Sequence, residues 1–144
     1  MQIVTDSGTD LWLPPEQAAA LNVHIVPLIV SLDGISYREG VDIQPEAFYE
    51  LLANTESLPT TSQPSAGDFA EVYRQLAATD PDILSIHMTS GLSGTYNSAL
   101  EGAKLVPEAN ITSVDTKTLS AAAGWQVEAA AKTLQDGWPL DKVL

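Results

Sequence analysis

The stretch SIHMTSGLSGTY, residues 85–96, sets Thr89, Ser90, Ser93 and Thr95 around Gly91 and Gly94. Three chemistries suit that pattern: a tight turn, a serine nucleophile, or a cradle for an anion. A hydroxyl at a helix start accepts hydrogen bonds from backbone N–H groups that have no partner within the helix. Those same N–H groups, at the positive end of the helix dipole, accept a carboxylate or a phosphate. Glycine lets a ligand approach the backbone closely. As a turn, the segment uses Ser90 or Ser93 to cap the next helix. As a nucleophile elbow it needs Gly-x-Ser-x-Gly around Ser93, and here the second glycine is displaced to Gly94. A nucleophile also needs a base, and the only histidines are His24 and His87. Both read more simply as packing or hydrogen-bonding residues. No Gly-Lys-Ser or Gly-Lys-Thr follows the glycines, so the stretch is not a Walker phosphate loop.

A second hydroxyl cluster lies in PTTSQPS. Pro59 and Pro64 restrict the chain on both sides of Thr60, Thr61, Ser62 and Gln63. Ser65 then caps a helix, with Asp68 as its acidic partner three residues on. The segment holds more hydroxyls than one cap uses, and a pre-ordered set suits an anion or a sugar. In TDSGTD, Asp6 follows the first strand. Haloacid dehalogenase phosphatases carry Asp-x-Asp there, whereas this chain has Asp6 and Asp10. Asp6 and Ser7 therefore read as turn and cap residues. Asp115, with Thr116 and Ser120, reads as an acid that orders loops by hydrogen bonds. No acid and histidine cluster is tight enough for a metal.

The elements that position these residues alternate. QIVTDS, VHIVPLIVSL, a short piece of DGISYREG, DILSIHM and NITSVD read as strands. LPPEQAAALN, QPEAFYELLAN, DFAEVYRQLAA, SGTYNSALEGAKLV and SAAAGWQVEAAAKTLQDG read as helices. Helical spacing groups Phe48, Leu51 and Leu52, then Phe69, Val72, Tyr73 and Leu76, and turns Tyr96, Leu100 and Leu105 inward. TESLPTTSQPSAGD reads as a loop. Ala121–Ala123 and Trp125 serve either the core or an apolar pocket wall. The expected fold is α/β, a three-layer sandwich whose mainly parallel sheet is covered by helices on both faces. In such sheets ligands sit at the carboxyl ends of the strands, where every polar cluster here falls.

The bulk composition narrows the function. The chain has 144 residues, 44% of them hydrophobic, and a formal net charge of −13 with six Lys and Arg. That charge argues against nucleic acid or an anionic membrane surface as partner. There is no cysteine, which excludes disulfides, thiolate zinc and a cysteine nucleophile. The opening MQIVTDSGTD lacks the basic start and apolar run of a signal peptide, and the expected location is cytoplasmic. After Gly137 and Pro139, Asp141 reads as a new N-cap.

TDSGTDL, LPTTSQPS, SGLSGTYNSA and VDTKTLSAAAG stand in that order, with FYELL before the second and ILSIHMTS before the third. The ordered set resembles the DegV family of bacterial fatty acid-binding proteins, the acyl-carrying subunits of fatty acid kinase systems. The resemblance implies a DegV-like N-terminal domain over residues 1–140 and, at 141–144, the start of a further segment, with the C-terminal lipid-covering domain absent. It implies one bound long-chain fatty acid such as palmitate, its tail buried and its carboxylate among hydroxyls and amides. By motif position, Thr61 and Ser93 contact the carboxylate, supported by Ser62 and the Gly94 amide. The implied partner is a fatty acid kinase catalytic subunit, which phosphorylates the carboxyl group for phospholipid synthesis. The chain itself then needs no cofactor and is not an enzyme, and its exposed domain interface suits a dimer. The family's carboxylate histidine belongs to the other domain, so neither His24 nor His87 takes that role. Two alternatives stand beside this: a small serine hydrolase or phosphatase using Ser93 or Asp6, and a module that binds another protein.

Overall fold

The computed structural model describes residues 1–144. Seven strands form: β1 (Gln2–Asp6), β2 (Val23–Val26), β3 (Ile29–Leu32), β4 (Ile35–Arg38), β5 (Thr60–Ser62), β6 (Asp82–His87) and β7 (Asn110–Asp115). The helices are α1 (Pro15–Ala20), α2 (Pro45–Ala53), α3 (Ala66–Ala77), α4 (Thr95–Lys104), α5 (Ser120–Gln135) and α6 (Leu140–Val143). Strands β2-β1-β6-β7 make one fully parallel sheet in that order. Its two central strands, β1 and β6, are buried on both faces, which is why their sequences are nearly continuous in apolar and small residues. Alternation sends Ile3, Leu84 and Ile86 to one side, against Ala18 of α1 and Val127, Ala130 and Ala131 of α5. Val4, Val26 and Ile83 go to the other, against Phe69, Ala70 and Tyr73 of α3 and Ala99 of α4. This is the expected three-layer α/β arrangement.

Several sequence expectations change. VHIVPLIVSL is not one strand. Pro27 lacks a donor N–H, and the chain leaves the parallel sheet there. Ile29 onward joins a second, antiparallel sheet of order β4-β3-β5. The third strand of that sheet is Thr60–Ser62, in the segment read as a loop; its ladder comes from β3, a partner about thirty residues away that no local pattern reveals. Helix α2 forms where expected but has no buried residue, with Phe48 and Leu52 half-buried and Leu51 43% exposed. In α4 the buried positions are Thr95, Ala99 and Gly102; Tyr96 and Leu100 are half-buried and Leu105 is 56% exposed. Small residues let α4 approach α3 closely, so its larger side chains stand at the margin. The N-cap of α6 is Pro139, and Asp141 lies in its first turn.

The Ser65–Asp68 capping box is present in full, each side chain bonded to the other residue's backbone N–H. Ser65→Ala is expected to lower stability by about 1 kcal/mol, read as a lower urea midpoint with an unchanged slope.

Candidate functional site: a hydroxyl rim over an apolar cavity

Three loops leave the carboxyl ends of β1, β6 and β7, and hydrogen bonds tie them into one rim. The Thr89 N–H donates to the Thr118 carbonyl at 2.8 Å. The Ser120 hydroxyl donates to Asp10 Oδ2 at 2.6 Å, across 110 residues of chain. Asp115 closes the clasp: it accepts from the Ser90 hydroxyl at 2.5 Å, from the Lys117 N–H at 3.0 Å and from Lys117 Nζ at 2.6 Å. Burial pushes the Asp115 carboxyl up, but the hydrogen bonds from Lys117 and Ser90 outweigh it and hold it well below the usual carboxylate range. A carboxyl lowered in the folded state stabilises the fold above its ordinary value of 3.8 and loses that contribution as pH falls through the lowered folded value. The stability gap between wild type and Asp115→Asn is therefore expected to be full near pH 6 and to shrink progressively below about pH 4, read from urea midpoints across that range.

Within the rim, Ser90 is spent on Asp115 and does not cap α4. The N-cap position is Gly94, which offers no side chain. Ser93 acts one residue earlier: its Oγ accepts the Thr95 N–H at 3.2 Å and shares a hydrogen bond with Thr95 Oγ1 at 2.8 Å. Ser93 and Gly94 are half-buried. The two hydroxyl segments meet here, because Gln63, just past β5, lies against Gly94. A Cβ built on Gly94 would stand 2.8 Å from Gln63 Nε2.

Beside the rim opens a cavity of about 760 Å³. Its apolar lining includes Ile25, Leu28, Val30, Ile43, Phe48 and Tyr49, drawn from β2, β3, the link between them, α2 and the chain before α2. Thr61 is in its wall. Ser62 is the neighbouring residue on β5, so its side chain points to the other face of the strand. Ser7, Asp10 and Glu39 line the cavity too; Ser7 donates to Glu39 Oε2 at 2.6 Å and accepts the Leu28 N–H at 2.9 Å. The alanine run of α5 takes no part in this wall. Ala123 is core, while Trp125 is 68% exposed. Volume and lining suit an elongated apolar ligand with one polar end.

A buried polar chain lies beneath the rim. Tyr73 Oη meets Ser85 Oγ at 2.7 Å, Ser85 Oγ meets His87 Nε2 at 2.6 Å, and His87 Nδ1 meets Asp6 Oδ2 at 2.9 Å. Tyr73, Ser85, His87 and Asp6 are all 0% exposed. Asp6 Oδ2 also accepts the Met88 N–H, while Oδ1 has no partner. Burial pushes the Tyr73 phenol up to about 12, against the Ser85 hydrogen bond. Asp6 occupies the N-cap position of the 3-10 turn Ser7–Thr9, as expected, but its side chain makes no capping bond; it joins the ends of β1 and β6. Both ring nitrogens of His87 are engaged by Ser85 and Asp6, and neither meets Ser93. Strand alternation puts Ser85 and His87 on one face of β6, but nothing local pairs them with an acid 81 residues away. His24 bonds Gln2 Oε1 at 2.9 Å. No three His, Cys, Asp or Glu side chains group as metal ligands. No helix is long and apolar enough to cross a membrane.

Known proteins are similar to this chain in sequence and in fold. A DegV domain-containing protein of Staphylococcus aureus (SA1258) is 40% identical over 94% of this chain, which covers 47% of that protein. A structure described as fatty acid binding of a DegV family protein from Thermus thermophilus superposes with a TM-score of 0.87 at 39% identity, over 99% of this chain and 50% of that one. A stearic acid-binding protein from Eubacterium ventriosum superposes with a TM-score of 0.90 at 34% identity, again over 99% and 50%. The chain thus spans about half the length of each of these relatives. The sequence model of the family described as "Uncharacterised protein, DegV family" matches residues 1–144, and the chain belongs to the DegV family.

Proposed function

We propose that the chain binds a long-chain fatty acid, with its carboxylate held by Thr61 and Ser93 and supported by the Gly94 amide, and its tail along the cavity. Ser62, expected from its position in the motif to support the carboxylate, faces the other side of β5 and contributes less. The observation that carries this is the apolar cavity with Thr61 in its wall; Ser93 and Gly94 do not line it, and the loop that holds them meets the β5 segment through Gln63, which lies against Gly94. Hydroxyls and helix-start amides hold a carboxylate without a cation, which fits a rim whose Lys117 is already engaged by Asp115. Each buried CH₂ contributes about 0.8 kcal/mol, so the tail supplies most of the affinity, less the cost of ordering it. The stearic acid-binding relative supports this reading at the level of fold and sequence.

In the same reading the bound acid is presented to a fatty acid kinase catalytic subunit, whose product enters phospholipid synthesis. Val41 and Tyr49, 57% and 66% exposed beside the cavity, suit closure by a lipid-covering domain or by a second copy of the chain. Native mass spectrometry of the purified protein, followed by organic extraction, tests the binding. One long-chain fatty acid per chain is the expected result. A protein that is empty as purified and also ignores added stearate overturns it. Mixing the loaded protein with the kinase subunit and ATP should then give acyl phosphate.

A further inference from the structure

Residues 28–63 are tied to the rest of the molecule at few points. The segment carries β3, β4, α2 and β5, yet Leu32 and Ile43 are its only buried residues. None of its residues belongs to either core cluster, and its antiparallel sheet shares no ladder with the parallel one. The chain enters it after Pro27 and leaves it at Pro64, which is buried. No ion pair crosses to it. Its hydrogen bonds to the remainder all run to one side chain, Ser7, whose Oγ accepts the Leu28 N–H at 2.9 Å and donates to Glu39 Oε2 at 2.6 Å. The Glu39 N–H in turn donates to the Leu28 carbonyl at 2.9 Å, so the three residues close a ring at the joint between the two sheets. The turn that carries Glu39 is braced, because the Asp42 carboxylate accepts from the Arg38 N–H, Nε and Nη2 at 2.8–2.9 Å. At the far end the Gln63 tip rests against Gly94. The cavity fills the gap between the two parts: Ser7, Leu11 and Ile25 line it from the body, Val30, Phe48 and Thr61 from the segment.

We propose that residues 28–63 form a hinged flap over the cavity, and that Ser7 is its latch, a positioning residue that sets how readily the flap opens. Few buried apolar groups and exposed backbone hydrogen bonds put a segment at the low-stability end of a fold, able to open while the rest stays folded. Thr61 rides on the flap and Ser93 on the body, so the two hydroxyls come together only with the flap shut. A carboxylate that contacts both then favours the shut state, since a ligand shifts an equilibrium by its preference for one of the two forms. That consequence rests on the fatty acid reading given above; the flap itself does not.

The test is hydrogen–deuterium exchange of the full chain, read by peptide mass spectrometry, for wild type, Ser7→Ala and Glu39→Gln, free and with stearate. In the free wild type the amides of β3 and α2 should exchange together, well ahead of those of β1 and β6. Ser7→Ala removes both bonds of the latch and should speed exchange in residues 28–63 about tenfold, with β1 and β6 unchanged. Glu39→Gln keeps a carbonyl acceptor for the Ser7 hydroxyl and should exchange as wild type. Stearate should slow the flap, and Ser7→Ala should both bind and release it faster, as a gate requires. If the flap amides exchange as slowly as those of β1 and β6, or if Ser7→Ala speeds both alike, the flap is overturned. If Ser7→Ala leaves flap exchange at the wild-type rate while weakening stearate, Ser7 is a ligand contact and the latch is overturned. If exchange in the free chain follows the flap pattern but stearate neither binds nor slows it, the flap stands and the fatty acid reading falls.

Discussion

Thr61→Ala and Ser93→Ala are each expected to weaken fatty acid binding about ten- to a hundredfold, corresponding to a hydrogen bond to a charged group of about 1.5–3 kcal/mol. The two residues arrive from different sheets. Thr61 sits on β5, opposite Val30 of β3, and faces the cavity. Ser93 ends the loop after β6, its Oγ already accepting the Thr95 N–H, which turns the hydroxyl proton outward or toward Thr95 Oγ1. Neither hydroxyl supports the core: Thr61 is exposed and Ser93 half-buried, so melting temperatures should move little. Ser62→Ala is the internal control. The strand alternation that turns Thr61 to the cavity turns Ser62 away, and its effect should be several-fold smaller. Calorimetric titration with stearate and with a shorter acid separates head from tail. Loss of one hydroxyl should lower the affinity for both acids by the same factor, because the head contact is independent of chain length. A loss confined to the longer acid would place Thr61 or Ser93 against the tail.

What could be read from sequence, and what could not, follows from the range of the interactions. The parallel sheet and its helices were legible because their signals are local: apolar runs, caps such as Ser65 with Asp68, and a Gly137 at positive φ ending α5. The rim was legible as three hydroxyl or acid clusters at the ends of β1, β6 and β7, since topology alone gathers such ends; the fourth cluster, PTTSQPS, lies on β5 of the second sheet. The second sheet was legible only in part: the short strand of DGISYREG is β4, paired to β3 in a local hairpin, whereas β5 joins through pairs about thirty residues apart, such as Val30 with Thr61, and Pro27 hides the break within one apolar run. The apolar cavity lies over the second sheet and α2, and the alanines of α5, which in sequence suit either the core or a pocket wall, take no part in it. The side-chain role of Asp6 was missed because its partner is remote in sequence. An acid after a strand looks like a cap until β6 is laid beside β1 and His87 comes within 2.9 Å of it.

That pair carries the other large expected effect. His87→Ala should destabilise the protein by about 3–5 kcal/mol, because removing one partner leaves the other polar group buried and uncompensated. Such a loss is a large share of the 5–15 kcal/mol typical of a domain. The serine–histidine–aspartate order of Ser85, His87 and Asp6 has the distances of a catalytic triad, yet its physical setting differs. Ser85 is 0% exposed and its hydroxyl is shared with Tyr73, so no substrate carbonyl can reach it without opening the core. The Phe69 ring stands edge-on to the imidazole, centroids 5.0 Å apart, and seals that side. A carboxylate only accepts hydrogen bonds, so Asp6 fixes the His87 proton on Nδ1 and turns Nε2 to Ser85. The chain of bonds therefore ties α3, β6 and β1 together directly under the rim. Urea unfolding distinguishes a structural network from a catalytic one. A structural network predicts a large fall in midpoint for His87→Ala and a fall of about 1 kcal/mol for Tyr73→Phe, with fatty acid affinity retained in whatever fraction remains folded. A catalytic one predicts that His87→Ala folds as wild type and abolishes turnover of ester substrates. The orphaned Asp6 Oδ1 sharpens the contrast: a carboxylate already short of one partner has least to spare when His87 is removed.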